Sequence, residues 1–178
     1  MDKSFSLETD RLLVRILKTR DRDAFFIYRT LPEIYQYQAW KPSSISVIDS
    51  FILKNTSICP NTPNTWLQLA VCLKDGKLIG DIGLHFMEDT SQVEIGSTLS
   101  PEFQGKGYAY EAAYAVISYL FTSLSKHRVI ASVDPNNLKS IKLLTKLGFR
   151  KEAHFIKSFN MDGKWYDEYV FAVLESEW

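Results

Sequence analysis

Apolar residues recur along this chain at two spacings, and the switches between them mark out its elements. Arg11 to Leu17 reads as a first strand, while Asp21 to Thr30 carries Ala24, Phe25, Ile27 and Tyr28 at helical spacing. A second helix is expected after Ser46, where Ser46 and Asp49 have capping-box spacing and Val47, Ile48, Phe51 and Ile52 form an apolar stripe. After the turn-rich CPNTPNT segment, Leu67, Leu69, Val71 and Leu73 alternate within Trp66 to Lys74, and Asp75-Gly76 turns the chain back into Leu78 to Glu88. Gln92 to Leu99 is a further strand. The clearest helix follows it, with Ala109, Ala112, Ala113, Val116, Ile117, Leu120, Phe121 and Leu124 on one face. Arg128 to Val133 then reads as a strand and Asn137 to Leu147 as a helix stopped by Gly148. Arg150 to Asn160 and Trp165 to Leu174 form a last hairpin around Met161-Asp162-Gly163-Lys164.

The 178 residues, 46% of them apolar, suffice for one sizeable core, and no linker divides them, so residues 1–178 are expected to form a single domain. Lys and Arg number 21, as do Asp and Glu, so no bulk field points to nucleic acid. Two cysteines, Cys59 and Cys72, are too few for a disulfide framework and have no metal-ligand spacing, which fits a reducing cytoplasm and no metal. No apolar leader or membrane-length stretch occurs, so no membrane association is expected.

Candidate chemistry concentrates in STLSPEFQGKGYAYEAA, Ser97 to Ala113, where a strand runs through a glycine turn into the long helix. Gly105 and Gly107 let successive backbone N–H groups converge, the helix start adds unpaired donors and its positive dipole end, and Lys106 adds charge, which together suit a phosphate. A Walker loop would need Gly at Ser100 and Ser or Thr at Gly107, and a dinucleotide fingerprint would need Gly at Tyr110.

Gln104, Gly107 and Ala109 match motif A of the GCN5-related N-acetyltransferase (GNAT) superfamily, which this segment resembles. DPNNLKSIKLLTKLGF resembles its motif B, through Asp134-Pro135, Asn137, Ser140 and Leu147-Gly148-Phe149. Glu8-Thr9-Asp10-Arg11, Glu94-Ile95-Gly96, Tyr108 to Ala112 and Asp162 to Trp165 are most similar to the RimJ/RimL-type branch, named for enzymes that acetylate ribosomal-protein N-termini. The resemblance implies an α+β (α/β) acyl-CoA N-acyltransferase fold. Its mixed, mostly antiparallel seven-stranded sheet would have splayed fourth and fifth strands and about four flanking helices. It also implies acetyl-CoA as co-substrate, an amine acceptor, and a monomer or homodimer.

By the same resemblance, Gln104, Gly105, Lys106, Gly107, Tyr108 and Ala109 would grip the pyrophosphate, and Thr98, Leu99 and Ser100 would offer the strand edge to the pantetheine. Asn137 and Ser140 would hold its far end. Direct transfer needs a base, and Glu94, on the strand face opposite Val93 and Ile95, is the candidate; a structural ion pair at the sheet surface is the other reading. The developing oxyanion would be met by the N–H of Thr98 or Leu99. Where many relatives have a tyrosine acid, this chain has Leu144, leaving Ser140 as a substitute donor to sulfur, a hydroxyl bonded back to its own helix, or a thiolate that leaves unaided. Ser132 stands where ribosomal alanine acetyltransferases place a glutamate base. His85, of a residue type that ordinarily titrates near neutrality, could serve as base instead, but a surface or edge position is the expected one.

The acceptor is open between a protein N-terminal amine and a small-molecule amine. The aromatics Tyr35, Tyr37, Trp40, Trp66, Phe159, Trp165 and Tyr166 are offered as its walls or as core, and Asp162, Asp167 and Glu168 as attractors of a cation or as surface. A catalytically weak acyl-CoA-binding sensor or interaction module remains the alternative.

Overall fold

The computed structural model describes residues 5–38 and 40–178. Its strands are β1 (Ser6–Glu8), β2 (Leu12–Ile16), β3 (Thr65–Leu73), β4 (Leu78–Phe86), β5 (Gln92–Leu99), β6 (Arg128–Val133), β7 (Arg150–Met161) and β8 (Lys164–Leu174). They form one sheet in the order β1-β2-β3-β4-β5-β6-β8-β7. All neighbours are antiparallel except β5 and β6. The helices are α1 (Arg22–Arg29), α2 (Pro32–Tyr35), α3 (Ile45–Thr56), α4 (Tyr108–Thr122) and α5 (Leu138–Lys146).

The sheet has eight strands rather than the seven expected. The additional β1 has three residues, too short to display an alternation, and is held by its pairing with β2. The four-residue α2 is likewise too short for a helical stripe. Ser44, rather than Ser46, caps α3, accepting from the Val47 N–H while the two serine hydroxyls share a 2.8 Å bond. The cap lies three residues before the donor it satisfies, and Ser44 is the serine with extended backbone at that place.

Strand alternation divides the core in two. Leu67, Leu69, Ile82, Leu84, Val93 and Ile95 project to one face, where the Ala112, Ala113, Val116, Ile117 and Leu120 stripe of α4 packs on them. The other face carries Ala70 and Cys72 beneath Phe25 and Tyr28 of α1 and Ile48 and Ile52 of α3.

The single parallel junction is incomplete. β5 and β6 are in register only at Gln92–Arg128, Val93–Val129 and Glu94–Ile130. Beyond that point β5 follows β4 as far as Leu99, and β6 follows β8 as far as Val133, so the two strands diverge. Alternation then dictates what faces the gap. Ser100 N–H donates to Ile79 at 2.9 Å, which turns the backbone of Thr98 toward β4 as well. The Ser91 carbonyl accepts from His127 N–H at 2.8 Å across the junction, which turns Ser97 and Leu99 toward the gap. Of the two oxyanion donors considered, Leu99 N–H therefore faces the opening and Thr98 N–H is directed at β4.

Candidate active site

A cleft of about 590 Å³ runs through this gap. On the α4 side it is lined by Ala113, Ile117, Asn137, Ser140 and Leu144; on the opposite side by Gln68, Glu94, Gly96, Thr98, Ser132 and Glu168. The glycine turn lies outside it, at the start of α4. Gly105 and Gly107 have φ of 76° and 83°, a region glycine enters without penalty, and Gly107 is the N-cap residue with no side chain capping the helix. The first N–H groups of α4 thus have no side-chain acceptor, and Gly105, Lys106 and Gly107 are exposed.

Arg11 braces this turn from behind. Its Nη1 donates to Lys106 O at 3.0 Å and its Nε to Glu111 Oε2 at 2.6 Å, while Thr9 Oγ1 donates to Glu111 Oε1 at 2.6 Å. Burial pushes the Glu111 carboxyl up, but these bonds from Thr9 and Arg11 outweigh it and hold the carboxyl below its ordinary range. Gln104 ties the turn to both neighbours: its Nε2 donates to Leu99 O at 2.9 Å and its Oε1 accepts from Lys139 Nζ at 2.8 Å. Tyr108 lies under the Arg11 guanidinium, 4.5 Å from ring centre. Ser100 leads from β5 into this turn.

Asn137 Oδ1 caps α5 by accepting from Ser140 N–H at 3.2 Å. Among the described residues the Ser140 hydroxyl makes no bond back to its helix and lines the cleft. Leu144, at the position a tyrosine takes in many relatives, is buried in the cleft wall.

On the opposite face, cross-strand rows carry the polar groups. Trp66, His85 and Glu94 share one row, and the Trp66 and His85 rings stack 4.8 Å apart. His85 Nδ1 lies 3.8 Å from Glu94 Oε2, so His85 sits mid-sheet beside the candidate base instead of at an edge. Glu168 joins them from β8. Burial, and then the charge of Glu94, raise its carboxyl above the ordinary range. Beneath lies a buried network in which Asp81 accepts from Tyr28 Oη at 2.6 Å, from Arg29 and from Gln68 Nε2. Burial would lower the Arg29 guanidinium, and Asp81 reverses this; burial also drives the Tyr28 hydroxyl well up, reinforced by Asp81.

Of the aromatics offered for the acceptor side, Tyr37, Trp40, Trp66, Phe159 and Tyr166 line the cleft, while Tyr35 and Trp165 do not. Asp167 is engaged by His154 at 2.8 Å. Sequence reasoning did not single out Asp81, Arg29 and Gln68. The available signal was an aspartate inside the otherwise apolar run LIGDIGL, a buried charge that must be paired. Among the described residues, no helix is long and apolar enough to cross a membrane, and no group of three His, Cys, Asp or Glu side chains is placed to hold a metal.

Residues 11–150 match the model of the acetyltransferase (GNAT) domain family. An uncharacterized N-acetyltransferase of Bacillus subtilis, YnaD, is 32% identical, covering 97% of this chain and 98% of its own. The alanine N-acetyltransferase of ribosomal protein uS5 from Escherichia coli is 27% identical, with 97% and 92% covered. Among solved structures, a GNAT-family acetyltransferase from Bacillus anthracis superposes with a TM-score of 0.88 at 30% identity, covering 97% of this chain and 100% of that one.

Proposed function

Because the chain belongs to the GNAT acetyltransferase family and is an N-acetyltransferase, we propose that it transfers the acetyl group of acetyl-CoA directly to a primary amine entering the cleft from the Glu94 side. The observation that supports this most is the broken parallel junction of β5 and β6, which joins a thioester-sized opening on the α4 side to a carboxylate-bearing face on the other.

The residues present suit the co-substrate. Uncapped N–H groups at the start of α4, with the turn from Gln104 to Ala109, would take the pyrophosphate, and the strand edge at Ser97 with the Leu99 N–H would take the pantetheine as an added strand. Asn137 and Ser140 stand at its far end. Bound acetyl-CoA supplies an electrophilic acyl carbon and a thiolate leaving group.

Glu94 accepts the proton of the incoming ammonium, directly or through water, which frees the nitrogen lone pair. Leu99 N–H donates to the carbonyl oxygen as it gains charge. The C–N bond forms and the C–S bond breaks, the nitrogen releases its surplus proton to solvent, and the departing thiolate takes a proton from solvent or from Ser140 Oγ, which regains one from solvent.

A thiol-release assay with acetyl-CoA, run against N-terminal peptides and small amines, tests this. Turnover on either class is expected, and the productive class identifies the acceptor. Coenzyme A binding without turnover on any amine would overturn the catalytic reading in favour of a binding module.

A further inference from the structure

The acceptor side holds a feature that the transfer chemistry does not use. Gln68 on β3, Gly83 on β4 and Gly96 on β5 form one cross-strand row on the face that carries Glu94. Without a side chain at Gly96 the row has open space there, while the space over Gly83 is taken by the Gln68 amide and the edge of the Trp66 ring, which together wall a trough. Gln68 leans into it: a Cβ on Gly83 would lie 3.2 Å from Gln68 Oε1.

Gln68 is 8% exposed and fixed at both ends. Its backbone N–H donates to Asn55 Oδ1 at 2.6 Å, and its carbonyl accepts from Asn55 Nδ2 at 2.8 Å. Its side-chain Nε2 donates to Asp81, a carboxylate paired with Arg29 that offers no proton in return. The amide therefore has one orientation, nitrogen to Asp81 and oxygen to the trough. Among the described residues nothing donates to that oxygen, yet it is not sealed from the cleft. An oriented acceptor, nine-tenths buried and unpartnered, stands one strand away from the place where the amine would react.

We infer that Gln68 Oε1 is a specificity-determining acceptor for a second N–H of the amine substrate. The inference rests on the acyl-transfer reading of the cleft. The reacting nitrogen lies over Gly96 beside Glu94, and the second donor lies on its Gly83 side, within about one strand spacing or ~5 Å of it, where the Gln68 amide stands. A second ammonium three carbons away and the peptide N–H that follows a terminal residue both provide this chemistry, and two substrate pairs distinguish them. One pair is 1,3-diaminopropane and propylamine; the other is a tripeptide and its analogue methylated at the second residue's nitrogen.

In one of these pairs the donor-bearing member is favoured by about tenfold in kcat/KM, the scale of one buried hydrogen bond. Gln68→Met reduces that preference to within about twofold while the affinity for coenzyme A is unchanged. Asp81→Asn, which frees the amide to rotate, produces the same loss, and thermal melting of both variants confirms folding. A preference that survives in folded Gln68→Met, equal rates within both pairs for the unaltered protein, or no turnover on any of the four amines with coenzyme A bound overturns the inference. Failure to bind coenzyme A instead removes the acyl-transfer reading beneath it.

Discussion

Asn55→Ala examines how the acceptor face is held. Asn55 is buried at the C-terminal end of α3, where β2 has ended and β3 would otherwise present bare backbone. It makes two hydrogen bonds to Gln68, but their loss is unequal. The Gln68 carbonyl retains the Leu17 N–H at 3.3 Å, whereas the Gln68 N–H points away from β4 and is left without a partner. An orphaned buried N–H costs roughly 1–3 kcal/mol, and the second bond adds about 1. The expected destabilisation is thus about 2–4 kcal/mol. For a domain of this size each kcal/mol lowers Tm by roughly 2–4 °C, so a fall of about 4–16 °C is expected by differential scanning calorimetry. Thr56→Ala, at an exposed site on the next residue, should stay within about 0.5 kcal/mol of the unaltered chain. A Tm for Asn55→Ala within about 2 °C of the unaltered protein would refute the reasoning, since no orphaned group could then exist.

Glu94→Gln should lower kcat by about 10²–10³ and remove the acidic limb of its pH profile without changing coenzyme A affinity; an unchanged profile excludes Glu94 as the base. Gly107→Val places a β-branched residue at φ 83° with its Cβ 3.3 Å from Arg11 Nη2, and should abolish coenzyme A binding in calorimetry; normal affinity counts against the turn as phosphate site. Glu168 is raised by burial and by Glu94, so the folded chain holds that proton more tightly than the unfolded chain. Its contribution to stability is full below the ordinary glutamate range and is lost as pH rises through the raised value. Glu168→Gln should therefore gain Tm relative to the unaltered protein between pH 4 and pH 7, and an equal difference at both pH values contradicts the assigned burial and charge.

Elements long enough to show a period were legible. The alanine-rich face of α4 and the alternation of β3, β4 and β5 lie where hydrophobic spacing put them, because burial against one face enforces that spacing. β1 and α2 were not, since three or four residues complete no period. The α3 cap moved from Ser46 to Ser44 because three serines, Ser43, Ser44 and Ser46, flank the boundary, and only backbone geometry selects among them. At the site, the parity of Glu94 along its strand correctly put it on the face away from Val93 and Ile95. His85 is partly exposed on the sheet face, as a surface position implies, but not at an edge, because sequence does not reveal that β4 lies between two partners. Glu168 on β8 is distant in sequence from Gln68 and Asp81 on the β3–β4 hairpin, and only the register of the sheet brings the three to one face.

Acetyl transfer in this cleft requires that the start of α4 and the β5 edge together accept coenzyme A. Isothermal titration of the unaltered protein with coenzyme A measures this most directly. One molecule bound per chain, with the heat lost in Gly107→Val, is predicted, and a titration with no heat of binding at several temperatures contradicts it.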